Sequence, residues 1–217
     1  RFASQGTLIE GMYQMACLLK YYGIIPIFVF DGKPPAEKKE LLEIRKKNKE
    51  IAYQKYQELK SLENERISHN KLQQLKRQFV KLSCTDVDKV KYMLSICGIT
   101  CIQANGEADE LCAKMVIDNH AWGCVSDDMD MFVLGCPRVF RYFNTFNDTF
   151  VLYDTEEILK QLGATIDDFK TLCVIGGTDY SSSNTSLYSG LKLFNKYKNT
   201  ATDENFKTWL IKNSNFI

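Results

Sequence analysis

Histidine is almost missing from the 217 residues: His69 and His120 are the only two. That scarcity argues against a His-based catalytic triad and against a Cys/His zinc site. The eight cysteines, Cys17, Cys84, Cys97, Cys101, Cys112, Cys124, Cys136 and Cys173, include no C-x-x-C pair. Most stand inside apolar runs, which suits free buried thiols in a reducing compartment rather than a disulfide framework. No stretch approaches the roughly 18 apolar residues of a membrane span, and nothing at Arg1 reads as a signal peptide. The expectation is a soluble protein. With 45% apolar residues it can bury a sizeable core, which sets wholesale disorder aside.

Net charge is +1, but the charges are segregated along the chain. From Lys33 to Lys81 there are fourteen Lys/Arg against seven Asp/Glu, and from Glu107 to Asp179 five against fourteen. A basic segment offers a surface to a polyanion. Concentrated carboxylates repel one another unless solvent separates them or cations hold them.

Periodicity predicts helix 7–22, then an apolar run from Ile24 to Phe30 that suits a parallel-sheet strand buried on both faces. Residues 36–82 are helix-forming, charged and thinly apolar. Their narrow stripe comprises Leu41, Ile44, Ile51, Leu59 and Leu62, with a break at Ser68–Asn70. A helix so polar all round reads as a mobile excursion from the core. Further helices are predicted at 86–97, 107–119, 155–162, 166–175, 190–198 and 203–212, with a short one between Asp127 and Leu134. Strands are predicted at Ile99–Gln103, Gly123–Val125, Val139–Phe143 and Phe150–Tyr153. The alternation gives an α/β fold with a mostly parallel central sheet flanked by helices.

Acids cluster where the strands end. Asp31 follows the first strand, Glu107 and Asp109 the second, and Asp127, Asp128 and Asp130 the third. Parallel strands would bring these acids to one edge, where ligands of open α/β sheets bind. Each acid alone also suits a turn or a helix N-terminus. An i,i+2 pair shares no helix face, so these acids belong to loops or first turns, or serve different ions. Together they suit hard divalent cations, Mg2+ above all, and two such ions activate water for phosphodiester hydrolysis. Asp154, Glu156, Glu157, Asp167 and Asp168 are assigned instead to helix starts.

Four motifs in order, Val29-Phe30-Asp31-Gly32-Lys33-Pro34-Pro35, Gly106-Glu107-Ala108-Asp109, Asp127-Asp128-Met129-Asp130 and Gly177-Thr178-Asp179-Tyr180, resemble the flap endonuclease family of structure-specific 5′ nucleases. The resemblance implies metal-ligand roles, direct or through water, for Asp31, Glu107, Asp109, Asp128, Asp130 and Asp179. Asp127 matches a neighbouring acid not counted as a ligand. Lys38 and Arg45 match a lysine and an arginine that contact the scissile phosphate. Two Mg2+ ions, with Mn2+ as a substitute, are the implied cofactors. DNA with a 5′ flap or free 5′ end is the implied substrate.

The implied organisation is a nuclease core over 1–180, containing a helical arch at 34–82, and a degenerate helix–turn–helix duplex-binding region at 181–217. The sequence departs from the family in three ways. A segment bearing a further aspartate is expected before Arg1, so these residues read as a piece of a longer chain. Asp109 stands where flap endonucleases usually have glutamate, and aspartate at that place is familiar in the related 5′ exonuclease branch. Ser181 to Leu193 lacks the Gly-x-Gly turn, with Gly190 out of register. A monomer in the nucleus is expected, with any sliding clamp met through a region outside these residues. The alternatives are a catalytically impaired nuclease-like DNA-binding or scaffold protein, and a related RNA-cutting enzyme.

Overall fold

Helix α1 (Leu8–Tyr21) ends where Gly23 adopts φ +71°. The Gly23 N–H returns to the Lys20 carbonyl and the Ile24 N–H to the Leu19 carbonyl, closing off the last turn. Pro26 then separates this cap from strand β1 (Ile27–Phe30). In the computed structural model, residues 8–61, 69–79, 82–177, 186–200 and 203–214 are described. They fall into two compact units, Arg1–Asn105 and Gly106–Ile217.

After β1, a 3-10 turn over Ala36–Lys38 leads into α2 (Lys39–Ser61), and α3 (His69–Gln78) returns alongside it. Phe79, just past α3, wedges between two α2 rings, with centroids 5.2 Å from Tyr53 and 5.2 Å from Tyr56. Helix α4 (Cys84–Ile96) starts on a reciprocal cap in which Ser83 and Asp86 each bond the other's main-chain N–H. Hydrogen bonds from Ser83 hold the Asp86 carboxyl below its ordinary range. Strand β2 (Thr100–Gln103) pairs in parallel with β1, from Ile27 opposite Thr100 to Phe30 opposite Gln103. Ala16 of α1, Val90 and Leu94 of α4 and Ile99 form the core of this unit.

The second unit opens with α5 (Ala108–Ile117) and the two-residue strand β3 (Cys124–Val125). Next come the single-turn helix α6 (Asp130–Val133), β4 (Arg138–Asn144) and β5 (Thr149–Asp154). β3 is parallel to β4, and β4 antiparallel to β5. Ala113, Val116, Cys124, Met131, Phe132, Cys136 and Val139 are packed together beneath them. Helices α7 (Thr155–Leu162), α8 (Ile166–Gly176), α9 (Leu187–Lys198) and α10 (Phe206–Asn213) complete the unit. Leu172 and Ile175 of α8 share a second core with Phe194, Phe206, Trp209 and Leu210, so packing runs on across position 180.

The α/β class holds, and most elements lie within a residue or two of expectation. The differences have local causes. Among the described residues the strands form a two-stranded and a three-stranded sheet rather than one central sheet. The first strand starts at Ile27, not Ile24, because Ile24 is used in the α1 cap and Pro26 offers no N–H to a ladder. It is half-buried rather than covered on both faces, and Ile25 is 89% exposed. On α2, the buried position is Ala52, with Tyr56 and Leu59 half-buried on the same face, whereas Ile44 and Ile51 face solvent. The break expected at Ser68–Asn70 falls partly outside the described residues, and the chain is already helical at His69.

Candidate metal and phosphate site

Asp31 leaves β1 at its carboxyl end, on a main chain pinned from β2. The Gln103 side-chain amide donates to the carbonyls of Phe30 and Asp31, and Lys91 holds the other end of that amide at 2.5 Å. Gly32 follows because nothing larger fits: a Cβ there would stand 2.1 Å from the Ala104 carbonyl oxygen. Gln103 and Ala104 thus hold the main chain close on either side of Asp31, and the chain bends at Lys33. Lys38 ends the 3-10 turn and is half-buried, and Arg45 lies exposed in the second turn of α2. Both basic residues and Asp31 belong to the first unit.

The other described acids belong to the second unit. Glu107 is the residue from which α5 starts, in extended conformation, and Asp109 lies in the first turn. Acidic groups there are favoured by the helix dipole. One turn further on, the Cys112 thiol hydrogen-bonds Cys124, which drives the Cys124 thiol well above its ordinary range. Burial and the nearby charges, Asp109 among them, push it the same way. Asp130 opens α6, and its charge, added to burial, raises the Cys173 thiol of α8.

The Asp127–Asp130 segment is braced internally and from β4. Ser126 Oγ accepts the Asp128 N–H at 3.1 Å, and Asp128 Oδ1 accepts the Asp130 N–H at 2.9 Å. Asp127 turns its carboxylate toward β4, where Oδ1 accepts the Tyr142 N–H at 2.8 Å. Arg141 donates from Nη2 to the Asp127 carbonyl at 2.8 Å and from Nη1 to the Met129 thioether. Glu107, Asp109, Asp128 and Asp130, the two i,i+2 pairs, all sit in loops, caps or first turns.

Asp154 caps α7 by accepting the Glu157 N–H, and Thr165 and Asp168 cap α8 reciprocally. Those acids have the helix-start roles expected of them. Asp179 lies outside the described residues. Gly190 is buried inside α9, where a Cβ would meet Leu172 and Ile175 at 3.7 Å, so it is a helix-packing residue rather than a turn.

The donor set is all oxygen and all acidic, which in chemistry fits a hard divalent cation. Among the described residues, no three His, Cys, Asp or Glu side chains form a group that could hold an ion. Sequence reasoning missed Gln103 and Arg141, which bond main chain. A polar residue closing β2 and an arginine on β4 opposite the acidic loop were their only traces.

Residues 98–179 match the XPG I-region and residues 2–52 the XPG N-terminal domain. Those two ranges contain all eight candidate residues. The chain belongs to the flap endonuclease family. Flap endonuclease 1 of Methanococcus aeolicus is 33% identical over 198 residues, 91% of this chain and 60% of that protein. Its counterpart in Cryptosporidium muris is 32% identical over 207 residues, 89% of this chain and 43% of that protein. The chain thus spans about half the length of these family members.

Solved structures agree with the family assignment. The catalytic core of Rad2 in complex with DNA substrate superposes with TM-score 0.65 at 26% identity, over 94% of this chain and 63% of that one. Flap endonuclease-1 from Methanococcus jannaschii gives 0.62 at 25%, over 95% and 64%. Nucleases of this family are metal-dependent. No described helix is long and apolar enough to cross a membrane.

Proposed function

We propose that the chain is the catalytic part of a metal-dependent, structure-specific 5′ nuclease. Its reaction is hydrolysis of DNA phosphodiesters near single-strand/double-strand junctions, such as 5′ flaps, in nuclear replication and repair. The observation that carries this reading is the position of Glu107, Asp109, Asp128 and Asp130. All are at loop or first-turn sites of one compact unit, within the range that matches the XPG I-region.

In this reading Asp31, Glu107, Asp109, Asp128, Asp130 and Asp179 hold two Mg2+ ions, with Mn2+ able to substitute. Bound there, such ions polarise water and stabilise the leaving oxygen of a phosphodiester. Lys38 and Arg45 contact the scissile phosphate and stabilise the charge that builds on it. Residues 1–180 form the core. The basic excursion at 34–82 guides a single strand by backbone electrostatics, and residues 181–217 contact the duplex.

The test is cleavage of a labelled 5′-flap duplex by full-length protein, with and without Mg2+, beside Asp128→Asn. Asn keeps an oxygen to accept the Asp130 N–H, so it removes charge without removing the turn. The reading expects Mg2+-dependent cutting and a loss of roughly 100-fold or more in the variant. DNA binding without cleavage by the wild type would leave the scaffold reading in its place. Hairpin RNA cut in preference to flap DNA would favour the RNA-cutting alternative.

A further inference from the structure

We propose that Arg141, acting with the main chain of Tyr142, is a positioning residue for the metal-binding acids. It fixes the Asp127–Asp130 loop so that Asp128 and Asp130 are held ready for a divalent ion. The proposal rests on the function proposed for those two aspartates and adds residues to which no role in it has been given.

Four observations converge on it. First, both ends of the Arg141 fork go to the loop, Nη2 to the Asp127 carbonyl and Nη1 to the Met129 thioether. These two contacts bracket Asp128. Second, two rings lie near the guanidinium: its carbon is 5.0 Å from the Tyr142 centroid and 6.0 Å from that of Tyr153. Cation–π attraction adds to the two hydrogen bonds that fix the fork.

Third, Nε of Arg141 is buried and has no hydrogen-bond partner among the described residues. An unpaired buried N–H is unfavourable, so the side chain holds this pose for what its other atoms contact. Fourth, the next residue is strained. Tyr142 has φ +57°, a region that disfavours a bulky side chain, at a register shift between Arg141 and Asn144. That conformation delivers the Tyr142 N–H to Asp127 Oδ1 at 2.8 Å. Strain is tolerated where surrounding contacts over-determine it, and here they all converge on one loop.

The chemistry follows from the fork geometry. Lysine carries the same charge but is a point donor on a flexible stem, so it cannot span Asp127 and Met129 together. Asp127 serves as the loop's anchor rather than as a ligand. Its useful feature is the acceptor oxygen, not the negative charge.

The test measures Mn2+ affinity of full-length protein without DNA, by electron paramagnetic resonance titration, with thermal melting as a check on folding. Arg141→Lys, Arg141→Met, Asp127→Ala, Asp127→Asn and Asp128→Asn are compared with the wild type. Outer-shell partners commonly alter metal affinity about 10- to 100-fold. The expected result is a loss of about 10-fold or more for both Arg141 variants and for Asp127→Ala. Asp127→Asn, which deletes the charge but keeps the acceptor, should stay within about 2-fold. Because Asp127 is exposed, this pair decides the matter even if the Arg141 variants fold poorly.

Equal losses in Asp127→Ala and Asp127→Asn would overturn the proposal, since charge alone would then matter. Wild-type affinity in Arg141→Met and Asp127→Ala, beside a loss in Asp128→Asn, would overturn it while leaving the nuclease reading intact. Wild-type affinity in Asp128→Asn would remove the metal reading itself and the proposal with it. Flap cleavage gives a second readout: Arg141→Lys should require about 10-fold more Mg2+ for half-maximal rate, with most of the rate recovered at saturation.

Discussion

Gly32 and Ala104 approach so closely that a Cβ on the glycine would stand 2.1 Å from the alanine carbonyl oxygen. Backbone, not a flexible side chain, is what it would strike. Gly32→Ala should therefore destabilise the protein by about 1–3 kcal/mol in urea unfolding. Gly106→Ala meets nothing within 4 Å and should change stability by less than about 0.5 kcal/mol. Similar midpoints for the two variants would refute the crowding argument.

Arg45 is exposed on α2, so its truncation should leave the fold unchanged. Under the proposed function, Arg45→Ala and Lys38→Ala should each slow single-turnover cleavage by roughly 100-fold. Circular dichroism spectra should overlay those of the wild type. Full rates in both variants would separate these residues from the phosphate.

Phe79 joins the start and the return of the basic excursion through Tyr53 and Tyr56. Each aromatic pair contributes about 0.5–1.5 kcal/mol beyond the area it buries. Phe79→Ala should loosen α3 against α2 selectively. Hydrogen exchange should quicken by 10-fold or more in peptides covering 69–79, with α4 and β2 unchanged.

Burial pushes the Cys136 and Cys173 thiols up, and a hydrogen bond with Cys112 does the same to Cys124. A thiol raised in the folded state keeps its proton longer than in the unfolded chain. Its contribution is complete below the ordinary value of 9.0 and is lost as pH rises beyond it. Urea midpoints should thus fall from about pH 9 upward. Over the same range iodoacetamide should label the exposed Cys17 and Cys84 well before Cys124 and Cys136. A midpoint unchanged to pH 10.5 would contradict this account.

Much of the architecture was legible because it obeys local rules. Thr155–Leu162 appears as its capping pattern implies, and Thr165 with Asp168 starts α8 as a reciprocal cap. The edge of β1 was not, because Ile24 reads as strand by type yet closes the α1 cap through its N–H. Apolar type also misled on α2, where Ile51 is exposed and its neighbour Ala52 is buried. Only the partner helix decides which face is covered. The division of the strands into two sheets depends likewise on pairing that periodicity does not encode.

At the candidate site, residue type and spacing singled out the strand-end acids as candidates but not what braces them. Asp127 and Asp128 are adjacent aspartates, and sequence alone gives no reason why one carboxylate turns to β4 and the other caps Asp130. The difference arises from an N–H on Tyr142, and main-chain donors leave no mark in a sequence. Gln103 is similar: its amide grips carbonyls 72 and 73 residues away.

Strand β3 is only two residues long, so Asp127–Asp130 is sewn to the sheet by a couple of rungs and then by the Arg141 side chain and the Tyr142 main chain of β4. Few of those stitches need to slip for the carboxylates to drift while the cores stay intact. Under the proposed function, inactivation on heating should accordingly set in before the cooperative melt, and added Mg2+ should close that gap.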